Sequence, residues 1–394
     1  MFDNLSLIRE SYSVAFADYV RVKEVEGRRI IKMQTGDPDF ATHPNIVSAA
    51  AEALQKGETK YCDSRGLLPL RKALIEKLGS ENNIQGLHSD NILVTHGAVH
   101  GINMAIRALV NTGDECIILE PYWRSYEANV ILAGGKPVIL QTKKEDGFQL
   151  NAAAVLEKIT PLTKLIIINT PNNPSGAVYH KNELSKLAKG AAEKYIFILS
   201  DEVYETLTFD EREHYSAASD PSVFDWIISV FSFSKTHAMT GWRTGYLVAQ
   251  KIIIDEILKL SQFSVTSLAP YNQVAALIAV TDPLATSYAE MMRREYEKRR
   301  NLINKKIKNT WLENVATIPG GAFYILIDVA KFHVPSLELA KMIVDFADVS
   351  FTPGIAFGNN MDNYLRMCFA TSNENILIAL DALIRFEKKY TDEN

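Results

Sequence analysis

Residues 164–200 read KLIIINTPNNPSGAVYHKNELSKLAKGAAEKYIFILS. The run at 164–169 is almost wholly apolar, 182–194 has helical periodicity, and 195–200 is apolar again. The unbroken LIII at 165–168 suits a strand covered on both faces rather than one with a wet side. Strand, helix and strand in succession predict an α/β domain on a mostly parallel sheet.

The same alternation extends in both directions. Residues 91–95 (NILVT) read as a strand and 97–110 as a helix with apolar Ile102, Ala105, Ile106 and Leu109. Further strands are predicted at 115–119, 136–140, 226–232 and 244–249. The pattern changes near Thr281 and Pro283, after which 285–309 reads as a long charged helix. Its run MMRREYEKRR (291–300) mixes acidic with basic residues, which reads as a solvated face rather than a nucleic-acid patch. Beyond Pro319-Gly320-Gly321 follow a strand (322–328), a helix (336–346), a strand (364–370) and a last helix (373–388), a second and smaller α/β unit. The polar, mixed first forty residues are expected to form an arm packing on it. No internal repeat or low-complexity segment is present.

Composition narrows the class without naming an activity. The chain has 394 residues, 42 basic and 47 acidic, for a net charge of −5, with 47% hydrophobic residues. That balance gives no support for a nucleic-acid partner, and the apolar fraction is that of an ordinary globular protein. No apolar stretch approaches the roughly eighteen residues of a membrane span. Asp3, Arg9 and Glu10 make the start unlike a secretory signal. Cys62, Cys116 and Cys368 are far apart, without CxxC spacing, which predicts a reducing, cytoplasmic setting. There is no Walker A loop, HExxH or GxSxG. His96 and His100 are four apart, yet His96 precedes the predicted helix and no third ligand is evident, so no metal site is expected.

The chemistry concentrates in residues 230–246, VFSFSKTHAMTGWRTGY. Lys235 follows a strand among Ser232 and Ser234, with Arg243 eight positions on, an arrangement suited to an amine nucleophile beside an anion site. Most lysines are solvated surface charges, and only these flanks single this one out. Likewise Ser-Asp-Glu at 200–202 would ordinarily be a capping turn, and Asn-Asn-Pro-Ser-Gly at 172–176 an ordinary turn.

Together these motifs resemble the class I/II aminotransferases, pyridoxal-phosphate enzymes of fold type I, aspartate/aromatic aminotransferase-like. The Ser-x-Ser-Lys…Gly-x-Arg signature is matched as SFSKTHAMTGWRTGY, and the resemblance runs from Gly36-Asp37-Pro38-Asp39-Phe40 to Arg366 with the motifs in family order. It implies a three-layer α/β fold: residues 1–40 as arm and part of the small domain, 41–284 as the large cofactor domain, and 285–394 as interdomain helix and C-terminal small domain.

The resemblance also implies roles. Lys235 would form the Schiff base with pyridoxal 5'-phosphate and, once freed, move the proton between Cα and the cofactor. Asp201 would keep the pyridine nitrogen protonated, Tyr204 and Asn173 would contact the phenolate oxygen, and Trp123, rather than Tyr122, would stack on the ring. Gly97, Ala98 and Val99 would offer backbone N–H groups at a helix start to the phosphate, with Ser232, Ser234 and Arg243. Val99 departs from the family, whose members often carry a hydroxyl or lysine there. Tyr61 would reach the phosphate of a neighbouring subunit, implying a homodimer with shared sites. Arg366 would grip the substrate α-carboxylate, with Asn173 and with Gly36 contributing backbone nearby. The implied reaction moves an amino group from an L-amino acid to a 2-oxo acid, by analogy 2-oxoglutarate. A lyase, cyclising synthase or oxidase on the same cofactor is the alternative; a non-catalytic regulator is disfavoured because every principal residue is present. Tyr12, Phe16, His100 and Arg124 are candidates for side-chain selectivity.

Overall fold

The computed structural model describes residue 8 and residues 11–393. In chain order the strands are β1 (Ile31–Lys32), β2 (Ile92–Thr95), β3 (Glu115–Glu120), β4 (Lys136–Gln141), β5 (Thr163–Asn169), β6 (Phe197–Asp201), β7 (Ile227–Ser232), β8 (Gly245–Val248), β9 (Tyr324–Asp328), β10 (Val349–Ser350), β11 (Thr352–Pro353) and β12 (Tyr364–Cys368). The large sheet has seven strands in the order β2-β8-β7-β6-β5-β3-β4. From β7 to β4 all pairings are parallel, whereas β8 runs antiparallel to both β7 and β2. An apolar run looks the same in either direction, so the sequence predicts β8 without its orientation.

The two covered faces follow from the period-2 alternation of a strand. Leu165 and Ile167 of β5 face one buried cluster, with Ile102 and Ile106 of helix Gly97–Leu109. Ile166 and Ile168 face the other, with Leu184 and Leu187 of helix Lys181–Glu193 and Leu70 and Leu74 of helix Leu68–Glu81. The result is the expected helix–sheet–helix stack, with the carboxyl ends of β3, β5, β6 and β7 opening on one edge where α/β sheets bind ligands.

A smaller α/β part is built on the antiparallel sheet β11-β12-β9 and the parallel pair β1–β10. Its core draws on both chain ends: Phe16 and Val20 of helix Tyr12–Val25 pack with Ile343 of helix Ser336–Ala347 and Leu380 of helix Asn373–Glu393. Helix Pro283–Ile307 starts at Asp282, whose carboxylate accepts from the Leu284 N–H at 3.0 Å. Its basic run is solvated at Arg294 and Lys298 but not throughout. Arg299 and Arg300 are buried; Arg299 donates to Asp39 at 2.7 Å and Arg300 to Asp210 at 2.9 Å. Buried guanidinium groups need such partners. Among the described residues no helix is long and apolar enough to cross a membrane.

Candidate active site

The site grows from the ends of the sheet strands. β7 ends at Ser232, whose hydroxyl accepts from the Ser234 N–H at 3.1 Å and starts the short helical turn Phe233–Thr236 that carries Lys235. β6 ends at Asp201 and β5 at Asn169, whose side chain accepts from the Asn173 N–H at 2.8 Å and so sets the turn after it. β8 begins with Gly245 opposite Ser232. A Cβ there would meet the Ala98 nitrogen at 2.9 Å and the Phe231 carbonyl at 2.8 Å, so glycine is what lets the start of helix Gly97–Leu109 press against the sheet. Gly97 has φ +71, and a Cβ on it would meet the Arg243 guanidinium at 2.5 Å. Backbone N–H groups and a fixed cation thus converge without intervening side-chain bulk.

A cavity of about 470 Å³ lies over these ends. It is lined by Lys235, Asp201, Tyr204, Asn173, Trp123, Ala98, Val99, Ser232, Ser234, Arg243, Arg366 and Gly36, all expected from the sequence. Gly97 lies directly behind Arg243. Tyr122 turns away, buried with its hydroxyl on Glu127 at 2.9 Å. Tyr61 does not line the cavity of its own chain and is 86% exposed. The four selectivity candidates also stay out of the lining. Phe16 is buried in the core of the smaller α/β part because helix Tyr12–Val25 turns it inward. Arg124 is paired with Glu127 at 2.8 Å and lies over the Tyr12 ring. The His100 Nε2 is 3.0 Å from the Ser264 hydroxyl.

Burial sets the electrostatics. The Lys235 amine donates to the Gly36 carbonyl at 2.6 Å, and its pKa is lowered to about 8, mainly by burial, with Asp37 opposing. A neutral amine is the nucleophilic form, so the shift favours attack on a carbonyl carbon. Asp201 is raised to about 6 by burial, against the Tyr126 hydroxyl that donates to Oδ2 at 2.6 Å and the Val203 N–H. A cation placed against this carboxylate would find a partner with no competing positive group bonded to it among the described residues.

Arg366 sits in β12 with Nη1 donating to Asn173 Oδ1 at 2.9 Å and Nη2 to the Gln34 carbonyl at 2.6 Å. Its guanidinium lies between the Tyr324 ring, at 4.3 Å, and the Phe357 ring, at 4.8 Å. No carboxylate pairs with it among the described residues, and its buried Nε has no partner. A buried cation with an orphaned donor is a receptor for an anion entering the cavity. Tyr126 and Tyr324 were missed by sequence reasoning. The spacing of Tyr126, three residues after Trp123, matches the ring contact between the two in the structure. Amine, carboxylate, anion cradle and flat aromatic wall fit pyridoxal phosphate residue by residue.

Known proteins share this sequence pattern and fold. The family described as aminotransferase class I and II matches residues 28–383. The chain is 38% identical over 386 residues to aromatic-amino-acid aminotransferase 2 of Thermococcus litoralis, covering 98% of this chain and 96% of that one. It is 38% identical to the aspartate aminotransferase of Pyrococcus abyssi over 364 residues, 92% of this chain and 93% of the other. The solved aspartate aminotransferase from Thermus thermophilus with maleate superposes with a TM-score of 0.92 at 34% identity, covering 98% of this chain and 99% of that one, which places the fold in type I. The chain belongs to the class I and II aminotransferases, pyridoxal-phosphate enzymes that move an amino group from an amino acid to a 2-oxo acid.

Proposed function

We propose that the cavity residues divide the transamination as follows. The observation that carries this reading is the convergence of the Lys235 amine, the Asp201 carboxylate and the unpaired Arg366 guanidinium on one cavity. Pyridoxal phosphate supplies the electron sink that lets the substrate Cα–H bond break. Lys235 would hold the cofactor through its amine and, once free, would take and carry the proton of the substrate Cα. Asp201 keeps the ring nitrogen charged, and Tyr126 orients Asp201. Tyr204 donates to the phenolate oxygen, Asn173 contacts it, and Trp123 stacks on the ring. The N–H groups of Gly97, Ala98 and Val99, with Ser232, Ser234 and Arg243, hold the phosphate. Arg366, oriented by Asn173, takes the α-carboxylate of donor and acceptor alike, with Gly36 contributing backbone nearby.

The donor is an L-amino acid, with aspartate or an aromatic amino acid first in line, a choice the names of the relatives support, and 2-oxoglutarate is the acceptor by family analogy. The enzyme works as a homodimer in which Tyr61 serves the partner's phosphate, a reading supported by its exposure. The division into residues 1–40, 41–284 and 285–394 and a cytoplasmic setting complete the proposal; three free thiols support the latter. The test is a panel of amino-acid donors against 2-oxoglutarate, with Lys235→Ala as control. Turnover with formation of glutamate is expected from the wild type, and a loss of at least about 10⁴-fold in the variant. Full turnover by Lys235→Ala, or ammonia or peroxide in place of the amino product, overturns the reading.

A further inference from the structure

Tyr324 belongs to β9 of the small sheet, yet it touches machinery from three other elements. Its hydroxyl is 2.8 Å from the Tyr204 hydroxyl, which follows β6 of the large sheet. Its ring lies 4.3 Å beneath the Arg366 guanidinium of β12. Its oxygen also fills the space over Gly36, where a Cβ would come within 2.5 Å of it. Gly36 is in turn the residue whose carbonyl accepts from Lys235. Both phenols are buried, Tyr204 at 3% and Tyr324 at 1% exposure. Tyr204 is wedged edge-on against the Tyr324 and Phe323 rings, at 5.7 and 5.6 Å between centroids, so it has no room to swing away.

Each phenol has one proton, so in a bonded pair one donates and the other keeps its proton for a third group. Resting on the proposed role of Tyr204 as donor to the cofactor, we infer that Tyr324 is a positioning residue with two separable tasks. Its hydroxyl donates to Tyr204 and so aims the Tyr204 proton into the cavity; its ring fixes the plane of Arg366 for the substrate α-carboxylate. A donor that itself accepts a hydrogen bond donates more strongly. A stronger bond to the cofactor's phenolate oxygen draws electron density from the imine nitrogen and lowers its proton affinity. The groups facing the pair are Asp201 and Arg366 on the Tyr204 side, and Arg366, Cys368 and Asp37 on the Tyr324 side. Burial holds both phenols protonated across the working range, so neither titrates there.

The experiment uses the holoenzyme and reads the pH titration of the visible absorbance of the lysine-bound cofactor. Tyr324→Phe removes one oxygen and keeps the ring. Its titration midpoint is expected to rise by about 0.5 unit, while KM for amino and oxo acid stays within about twofold of wild type. Tyr324→Leu removes the ring as well, and both KM values are expected to rise by about tenfold. Adding Tyr324→Phe to Tyr204→Phe is expected to move the midpoint no further, because the first hydroxyl acts only through the second. A wild-type titration with an unmoved Tyr324→Phe midpoint overturns the hydroxyl task. An added shift in the double variant overturns the route through Tyr204, and unchanged KM values in Tyr324→Leu overturn the ring task. A wild type with no titrating chromophore instead defeats the cofactor reading on which the inference stands.

Discussion

Lys235 and His237 lie two residues apart, and burial lowers both pKa values, Lys235 to about 8 and His237 to about 3, the latter with help from the Lys77 charge. For the lysine the shift serves the proposed chemistry, in which the neutral amine is the nucleophile. For the histidine it makes the fold acid-labile. Unfolded, His237 binds a proton near its ordinary pKa of 6.5; folded, it resists until about 3. Its contribution to stability is therefore intact above pH 6.5 and erodes as pH falls through that window. His237→Asn is expected to recover on the order of 1–2 kcal/mol at pH 5 and nothing at pH 8. Urea unfolding midpoints at the two pH values check this; an equal change at both would refute it. Lys235 was legible in the sequence because its flanking serines and Arg243 are close along the chain. Tyr126 and Tyr324 were not, because their partners are 75 and 120 residues away and a tyrosine alone signals nothing.

At the scale of elements, the contact between β8 and the start of helix Gly97–Leu109 ties the proposed phosphate cradle to the sheet. Gly245→Ala puts a methyl group against the Ala98 nitrogen and the Phe231 carbonyl, both backbone atoms with little room to yield. The expected cost is about 1–3 kcal/mol of stability, from overpacking. Displacing the helix start should also weaken cofactor retention by at least about tenfold. Equilibrium unfolding and a cofactor dissociation measurement separate the two effects. Unchanged retention in a destabilised variant would show that the cradle does not depend on this contact. The parallel strands were legible because burial on both faces makes them uniformly apolar. Helices Pro44–Gln55 and Leu68–Glu81 fell outside the alternation, since no strand precedes them to mark the repeat.

For the whole molecule, the smaller α/β part is joined through partners that sequence distance hides. Ile31 of β1 pairs with Val349 of β10, and Arg299 reaches back to Asp39. Sequence reading could assign the first residues to an arm, but neither pairing has a local signature, and the basic run around Arg299 looked solvated for the same reason. Tyr61, 86% exposed, and Phe263, 95% exposed, are large aromatic side chains with little cover of their own. If Tyr61 serves a neighbouring subunit, mixing a Tyr61→Phe variant with a Lys235→Ala variant should restore wild-type cofactor affinity at one of the two sites of the mixed dimer. A titration of the mixture is expected to show a tight and a weak class of site; a single weak class would place Tyr61 outside the shared site.

One consequence reaches past these residues to the order in which the enzyme screens its substrates. Arg366 is a cation folded into an apolar strand with neutral oxygens for company and no counter-charge among the described residues. Any molecule that brings a carboxylate neutralises it; any amine that lacks one leaves it stranded. On the proposed role of Arg366 the head group is the first gate and the side chain only the second. Simple amines would then be refused more firmly than amino acids of the wrong shape, and two chemically different acids would share one seat in turn.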